Sequence, residues 1–237
     1  MHSRILEPGA KTGRELAGVV SRRVNPALAR EVAVAYLDAP TRRDPLTAAA
    51  YARLVTESNW LFELITSPDR PDPVRVFFTT CPAPYRDARE LIAAVTDDRM
   101  LEVATVAADG DRRHPLMDSG RGAAYDRFRA VHDILGHARL RLGFDRDGEF
   151  AVWLAQERFH SPLARRALAT ELHGQHSVRW TTGEVAAPKA ALLDSGLLRR
   201  ARLLSRGPAE NVGDHSAEDG ATGAAAPADC RGGRLTC

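Results

Sequence analysis

Lysine is almost missing from this chain of 237 residues: Lys11 and Lys189 are the only two, so nearly all of the positive charge is arginine. The formal net charge is only +2, and the basic and acidic residues are interspersed. That pattern lacks the patch or stripe of a nucleic-acid surface, and no nucleic-acid partner is expected. Cysteine is scarce too. Cys81, Cys230 and Cys237 form no Cys-x-x-Cys pair, which excludes the usual zinc-knuckle and iron–sulfur spacings. No apolar run approaches the roughly 20 residues that cross a bilayer. The first residues carry no apolar signal segment, so a cytoplasmic protein without a membrane partner is expected.

What is present is an ordinary globular balance, with 44 % hydrophobic and 27 % charged residues. Residues 1–25 read as a flexible polar arm carrying Pro8, Gly9, Gly13 and Gly18. Asn25-Pro26 and Asp44-Pro45 each pair a cap with a first-turn proline. They predict helices from Pro26 to about Leu37 and from Pro45 to about Thr66. Val74–Thr79 and Leu101–Val106 read as strands, with a helix from Asp87 to about Val95 between them. Asp109-Gly110-Asp111 is a turn signal, and Arg112–Gly122 reads as a loop.

Helical patterning returns from Ala123 to Leu142, interrupted at Gly136. Further helices are expected from Glu149 to about His160, from Ser161-Pro162 to about Leu172, and from Lys189 to Leu204. Residues 207–237 have no periodicity and a composition that predicts disorder. The expected fold is mainly α (α+β): a single helical domain over 26–206 with a small β element.

Six of the eight histidines fall between His114 and His176. His132 and His137 are five residues apart, which on a regular helix sets them about 140° apart. A distortion or helix end at Gly136 would bring them together, and glycine there admits a close neighbour. Glu171 lies three residues after Leu168, near a face expected to be buried, where a lone charge needs a partner. Two imidazoles and one carboxylate with open positions opposite is the arrangement that non-haem Fe(II) uses with O₂. Zinc with a bound water is the chemical alternative, which would make the chain a hydrolase.

The run His132-Asp133-Ile134-Leu135-Gly136-His137 resembles the His-Glu-Leu-x-Gly-His motif of the pterin-dependent aromatic amino acid hydroxylases. Thr170-Glu171-Leu172-His173-Gly174 is similar to that family's downstream Thr-x-Glu-Phe-Gly segment, and Phe150-Ala151 to its Phe-Ala. The likeness spans about residues 125–175, with Asp133 where the family has glutamate. It implies a hydroxylase-like core, metal ligation by His132, His137 and Glu171, and a mononuclear iron monooxygenase using O₂. It also brings in a pterin as one source of electrons. The substrate would be a small polar or amino-acid-like molecule, with specialised biosynthesis as the setting.

Around that set, Asp133, Glu157, His173 and Arg129 are the candidate catalytic side chains. Asp133 is expected to pair with Arg129 or to hydrogen-bond an imidazole. Glu157 and His160 form one Glu-x-x-His unit, the element of di-iron bundles, with Glu57 as a spare carboxylate. His173 and His176 flank Gly174-Gln175 and could face the open side of the metal. His114 and Asp118 lie in a loop of the kind that covers pockets. Arg121 and Arg129 could clamp a carboxylate. The remaining reading is a non-catalytic helical binding protein with its histidines satisfied in the core. The oligomeric state is left open.

Overall fold

The computed structural model describes residues 22–205 except 109 and 111. The expected flexible arm, for all but its last four residues, and the expected disordered tail lie outside them, as do the two aspartates of the turn at 109–111.

The fold is mostly helical. Helices α1 (Pro26–Asp38) and α2 (Pro45–Thr66) begin where the sequence places them, each on an Asn or Asp cap followed by proline. Asn25 accepts from the amides of Ala27 and Leu28, and Asp44 from those of Leu46 and Thr47. Strands β1 (Arg75–Thr79) and β2 (Met100–Ala104) pair in parallel, Arg75 opposite Met100 and Thr79 opposite Ala104. Helix α3 (Ala88–Thr96) provides the crossover that a parallel pair requires.

Helix α4 (Ala124–His132) runs into a π turn, Asp133–Ala138. Helix α5 (Arg146–Gln156) starts three residues before the expected Glu149, because Asp145 caps the amides of Asp147 and Gly148. After a 3₁₀ turn at Glu157–Phe159 comes helix α6 (Pro162–Ala169). The sequence ends this helix at about Leu172. In the structure it instead passes through a second π turn, Thr170–Gly174, into helix α7 (Gln175–Thr182), and stops at Gly183 with φ 77°.

The last helix, α8 (Ser195–Leu203), is shorter than the Lys189–Leu204 segment expected. Residues 189–194 form no helix, and three of their carbonyls face partners elsewhere in the chain. Thr170 donates to Ala191 O and the Arg42 amide to Ala190 O, and the Tyr51 hydroxyl lies 2.8 Å from Lys189 O. Asp194 then caps the new helix at Leu197 N.

Two large apolar cores result, with a small third cluster of Leu142, Ala151 and Val152. One joins α1, α2, α5, α6, α7 and α8 around Tyr36, Tyr51, Leu54, Trp153 and Leu168. The other joins the sheet, α3 and the α4 π turn around Leu61, Leu91, Leu101, Val131 and Leu135. Among the described residues no helix is long and apolar enough to cross a membrane.

Candidate metal centre

The π turn at Asp133–Ala138 answers the spacing problem of His132 and His137. Its backbone closes i→i+5 hydrogen bonds, so residues five apart fall on nearly the same face. The two Nε2 atoms lie 3.1 Å apart. Gly136 makes this packing feasible: a Cβ there would lie 2.3 Å from Cγ1 of Val152 on α5. Helix α5 therefore lies tightly against the distorted segment.

The same stripe of α5 carries Glu149, Val152 and Gln156, all buried. Glu149 Oε2 is 3.4 Å from His132 Nε2 and 3.4 Å from His137 Nε2. These three residues form the metal-compatible group found among the described residues. His176, from α7, brings a further Nε2 to 3.4 Å from the same oxygen.

The arrangement fits a cation on grounds of its own. His137 Nδ1 donates to the carbonyl of Leu142 at 3.2 Å, and His132 Nδ1 to Oε1 of Gln156 at 3.1 Å. With each ring proton on Nδ1, both Nε2 atoms present lone pairs to one another and to the carboxylate. Such outer partners fix the tautomer and orientation of ligating imidazoles. Glu149 Oε2 has no hydrogen-bond partner although it is buried. Three electron-pair donors pointed at one spot repel unless a positive charge sits among them.

Protons on the imidazoles can stand in for that positive charge. Burial pushes the Glu149 carboxyl up, but the imidazoles of His176, His132 and His137 outweigh it and hold the group well below the usual range. Burial opposes charge on His137, but Glu149 and Asp133 overcome it, so that imidazole is shifted up.

The centre forms part of the wall of a cavity of about 410 Å³. Asp133, Arg129, Glu171, Gln175 and His176 line it as well. Asp133 is shifted up, chiefly by burial and against the pull of His132, His137 and Arg129. The Arg129 guanidinium donates to Ala104 O.

Several sequence expectations are corrected here. Glu171 does not join the three-residue group. Its carboxylate is taken by Tyr51, His114 and Gln175. Glu149 stands in the place expected for it because α5, not α6, is the helix packed on Gly136. Glu157 lies away from the cavity, in a two-pronged ion pair with Arg202 of α8 at 2.9 Å. Its Glu-x-x-His partner, His160, bonds Glu57 instead, which also caps α6 through Ser161 N. No two-metal cluster assembles from these residues. His173 is buried with its ring stacked on Trp153 at 4.4 Å, facing a separate cavity of about 120 Å³. Of the two flanking histidines, His176 reaches the main cavity. Arg121 donates to Phe78 O.

Glu149 escaped the sequence reading, although a signal existed. It precedes Val152 by three residues and Gln156 by seven, the helical face that an interrupting glycine would admit. Likewise Glu171, in the second π turn, and His176, at the start of α7, share the five-residue spacing of His132 and His137, and both line the cavity.

No family model, curated protein or solved structure matches the chain.

Proposed function

We propose that the protein is a mononuclear non-haem iron oxygenase acting on a small polar metabolite, with His132, His137 and Glu149 as the iron ligands. The observation that carries this reading is the convergence of two Nδ1-protonated imidazoles and one partnerless carboxylate oxygen on the wall of a metabolite-sized cavity. Two histidines and one carboxylate on one side, with the other side open, is the ligand set of Fe(II) oxygenases. The His-x4-His spacing and the Thr170–Gly174 segment support a hydroxylase-like core, with Glu149 taking over the carboxylate role from Glu171.

Iron with O₂ supplies the oxidising chemistry. The chain supplies the rest. Gln156 and the Leu142 carbonyl hold the two rings in register. His176, against Glu149, adds a further imidazole beside the centre. Asp133, placed next to His132 on the cavity wall and shifted up, is suited to hold or pass a proton there. Arg129 contributes positive charge to the same wall. The electrons come from the substrate, a pterin or an external reductant.

The test is anaerobic reconstitution with Fe(II), followed by oxygen uptake against a panel of amino acids with and without a reduced pterin. Iron-dependent uptake that disappears in His132→Ala is the expected outcome. Hydrolytic activity supported by zinc, without oxygen consumption, would overturn the oxygenase reading.

A further inference from the structure

Helix α7 builds one wall of the main cavity. Arg179 follows Gln175 by four residues and His176 by three, so the three share a helical face, and all of them line the cavity. Leu172, in the π turn that precedes the helix, lines it as well. Exposure rises along this stripe, from buried Leu172 through partly exposed Gln175 and His176 to exposed Arg179. The stripe therefore climbs from the floor of the cavity to its mouth, where the Arg179 guanidinium meets solvent. Among the described residues that guanidinium has no hydrogen-bond or ion-pair partner.

A second arginine is brought to the same end by the segment after β2. Arg112 donates through Nη1 to the carbonyl of Val185 at 3.1 Å. Val185 lies just beyond Gly183, where α7 stops, and lines the cavity together with Ala186, Pro188 and Arg112 itself. The bond to Val185 uses one of the five N–H donors of Arg112, which is likewise exposed. The carboxyls of the cavity belong to other parts of its wall. Glu149 faces the imidazoles, and the Glu171 side chain is fully buried beneath its three donors. Burial shifts Asp133 up, toward its neutral form. Glu102 is on β2, which packs on α3 and α4, whereas α7 packs on α1 and α5. The two arginines from which the sequence would build an anion clamp, Arg121 and Arg129, are turned to the carbonyls of Phe78 and Ala104.

We propose that Arg179 and Arg112 bind the oxyanion of an anionic substrate, a carboxylate or a phosphate, at the mouth of this cavity, which names the substrate class for the oxygenase reading and rests on it. Positive charge at a cavity mouth draws anions in, and the planar fork of a guanidinium matches two oxygens of a carboxylate or phosphate at once. Behind the arginines the wall offers Tyr125, Phe128 and Phe144 to the organic part of the molecule, with the metal centre beside them. The oxyanion is held by α7 and the segment docked on it, so the group to be oxidised is the end that reaches inward.

The experiment titrates the metal-free and the Co(II)-loaded protein with benzoate, phenyl phosphate and neutral benzyl alcohol, by calorimetry at low salt. The wild type should bind at least one of the anions about tenfold or more tightly than the alcohol, as charge-assisted hydrogen bonds imply. The tighter anion identifies the oxyanion as carboxylate or phosphate. Arg179→Gln should cut that preference at least about fivefold, and Arg112→Gln with Arg179→Gln should bring it near unity, both with alcohol affinity retained. Arg146→Gln, which removes a positive charge from the separate smaller cavity, should leave the preference unchanged. Equal affinities in the wild type would overturn the proposal, as would a preference kept in the double variant. An equal loss in Arg146→Gln and Arg179→Gln would also overturn it, because overall charge would then explain the binding. Should Arg179→Gln not fold, the wild type decides by NMR: the bound anion must move the Arg179 Nε–H signal, and shifts confined elsewhere refute the site. Failure of Co(II) to bind would count against the iron centre alone, because the titration of metal-free protein needs no metal.

Discussion

Replacing Gly136 by alanine tests the link between the π turn and the metal centre. In an ordinary exposed helix this change stabilises, because alanine exceeds glycine in helix propensity by about 0.8–1 kcal/mol. Here the new Cβ would meet Cγ1 of Val152 at 2.3 Å, with Cγ2 and Cβ of Val152 at 3.3 and 3.4 Å. Carbon atoms in contact settle near 3.5–4.0 Å, so α5 must retreat by roughly 1 Å or Val152 must leave its rotamer. Overpacking of this kind costs about 1–3 kcal/mol. Less the propensity gain, the net effect should be a loss of roughly 0–2 kcal/mol. The larger consequence falls on the site. Glu149 and Gln156 ride on the same helix, so a retreat draws the carboxylate from both imidazoles and the acceptor from His132. Urea unfolding of the metal-free protein and Co(II) titration should show reduced stability and a metal affinity lowered by at least about tenfold. Gly136→Ala combined with Val152→Ala should recover metal affinity and show a favourable coupling of about 1 kcal/mol or more. A Gly136→Ala protein that gains about 1 kcal/mol and binds Co(II) as the wild type does would refute the reasoning.

Other outcomes follow from individual contacts. Gln156→Leu removes the acceptor for His132 Nδ1 and should weaken metal binding by about 10–100-fold, while Gln156→Glu, which keeps an acceptor, should retain it; metal titration of both variants decides. Tyr51→Phe takes one donor from the buried Glu171 carboxylate, and should cost about 1–3 kcal/mol in urea unfolding with metal binding intact. Glu157→Gln should lower stability by no more than about 1 kcal/mol and leave metal content unchanged, since its ion pair with Arg202 is remote from the cavity. Burial, aided by the charges of His176 and Arg202, lowers His173 to about 3. The unfolded chain therefore binds a proton that the folded chain refuses between about pH 6.5 and that value. Stability should fall with decreasing pH across this window, by up to about 1.4 kcal/mol per unit from this group. His173→Phe should flatten the acid limb of a stability–pH curve, and an unchanged limb would contradict the assignment.

Three helix starts were legible because their chemistry is local. Asn25-Pro26, Asp44-Pro45 and Ser161-Pro162 each carry cap and first turn within two residues. The pairing of His132 with His137 was legible as a requirement, since five residues on an α-helix do not converge and Gly136 offered the place to distort. The carboxylate was only partly legible. Glu149 and Glu171 are both helical glutamates on buried faces, and the choice between them depends on which helix packs against Gly136, a long-range contact set by Val152. Continuation of α6 through Thr170–Gly174 was missed for a related reason. A π turn leaves no breaker residue, and Gly174 serves close packing on Tyr36 rather than termination: a Cβ there would lie 2.6 Å from the Tyr36 ring. The non-helical run at 189–194 is likewise set by distant partners, Arg42 and Thr170, that claim its carbonyls.

The central claim is that His132, His137 and Glu149 close around one metal ion. Anaerobic Co(II) titration followed by visible absorption, on wild type, Glu149→Gln and Glu171→Gln in parallel, tests it most directly. One equivalent bound by the wild type and by Glu171→Gln, with affinity lost by at least about a hundredfold in Glu149→Gln, is the predicted result. Metal held by Glu149→Gln and lost from Glu171→Gln would contradict it.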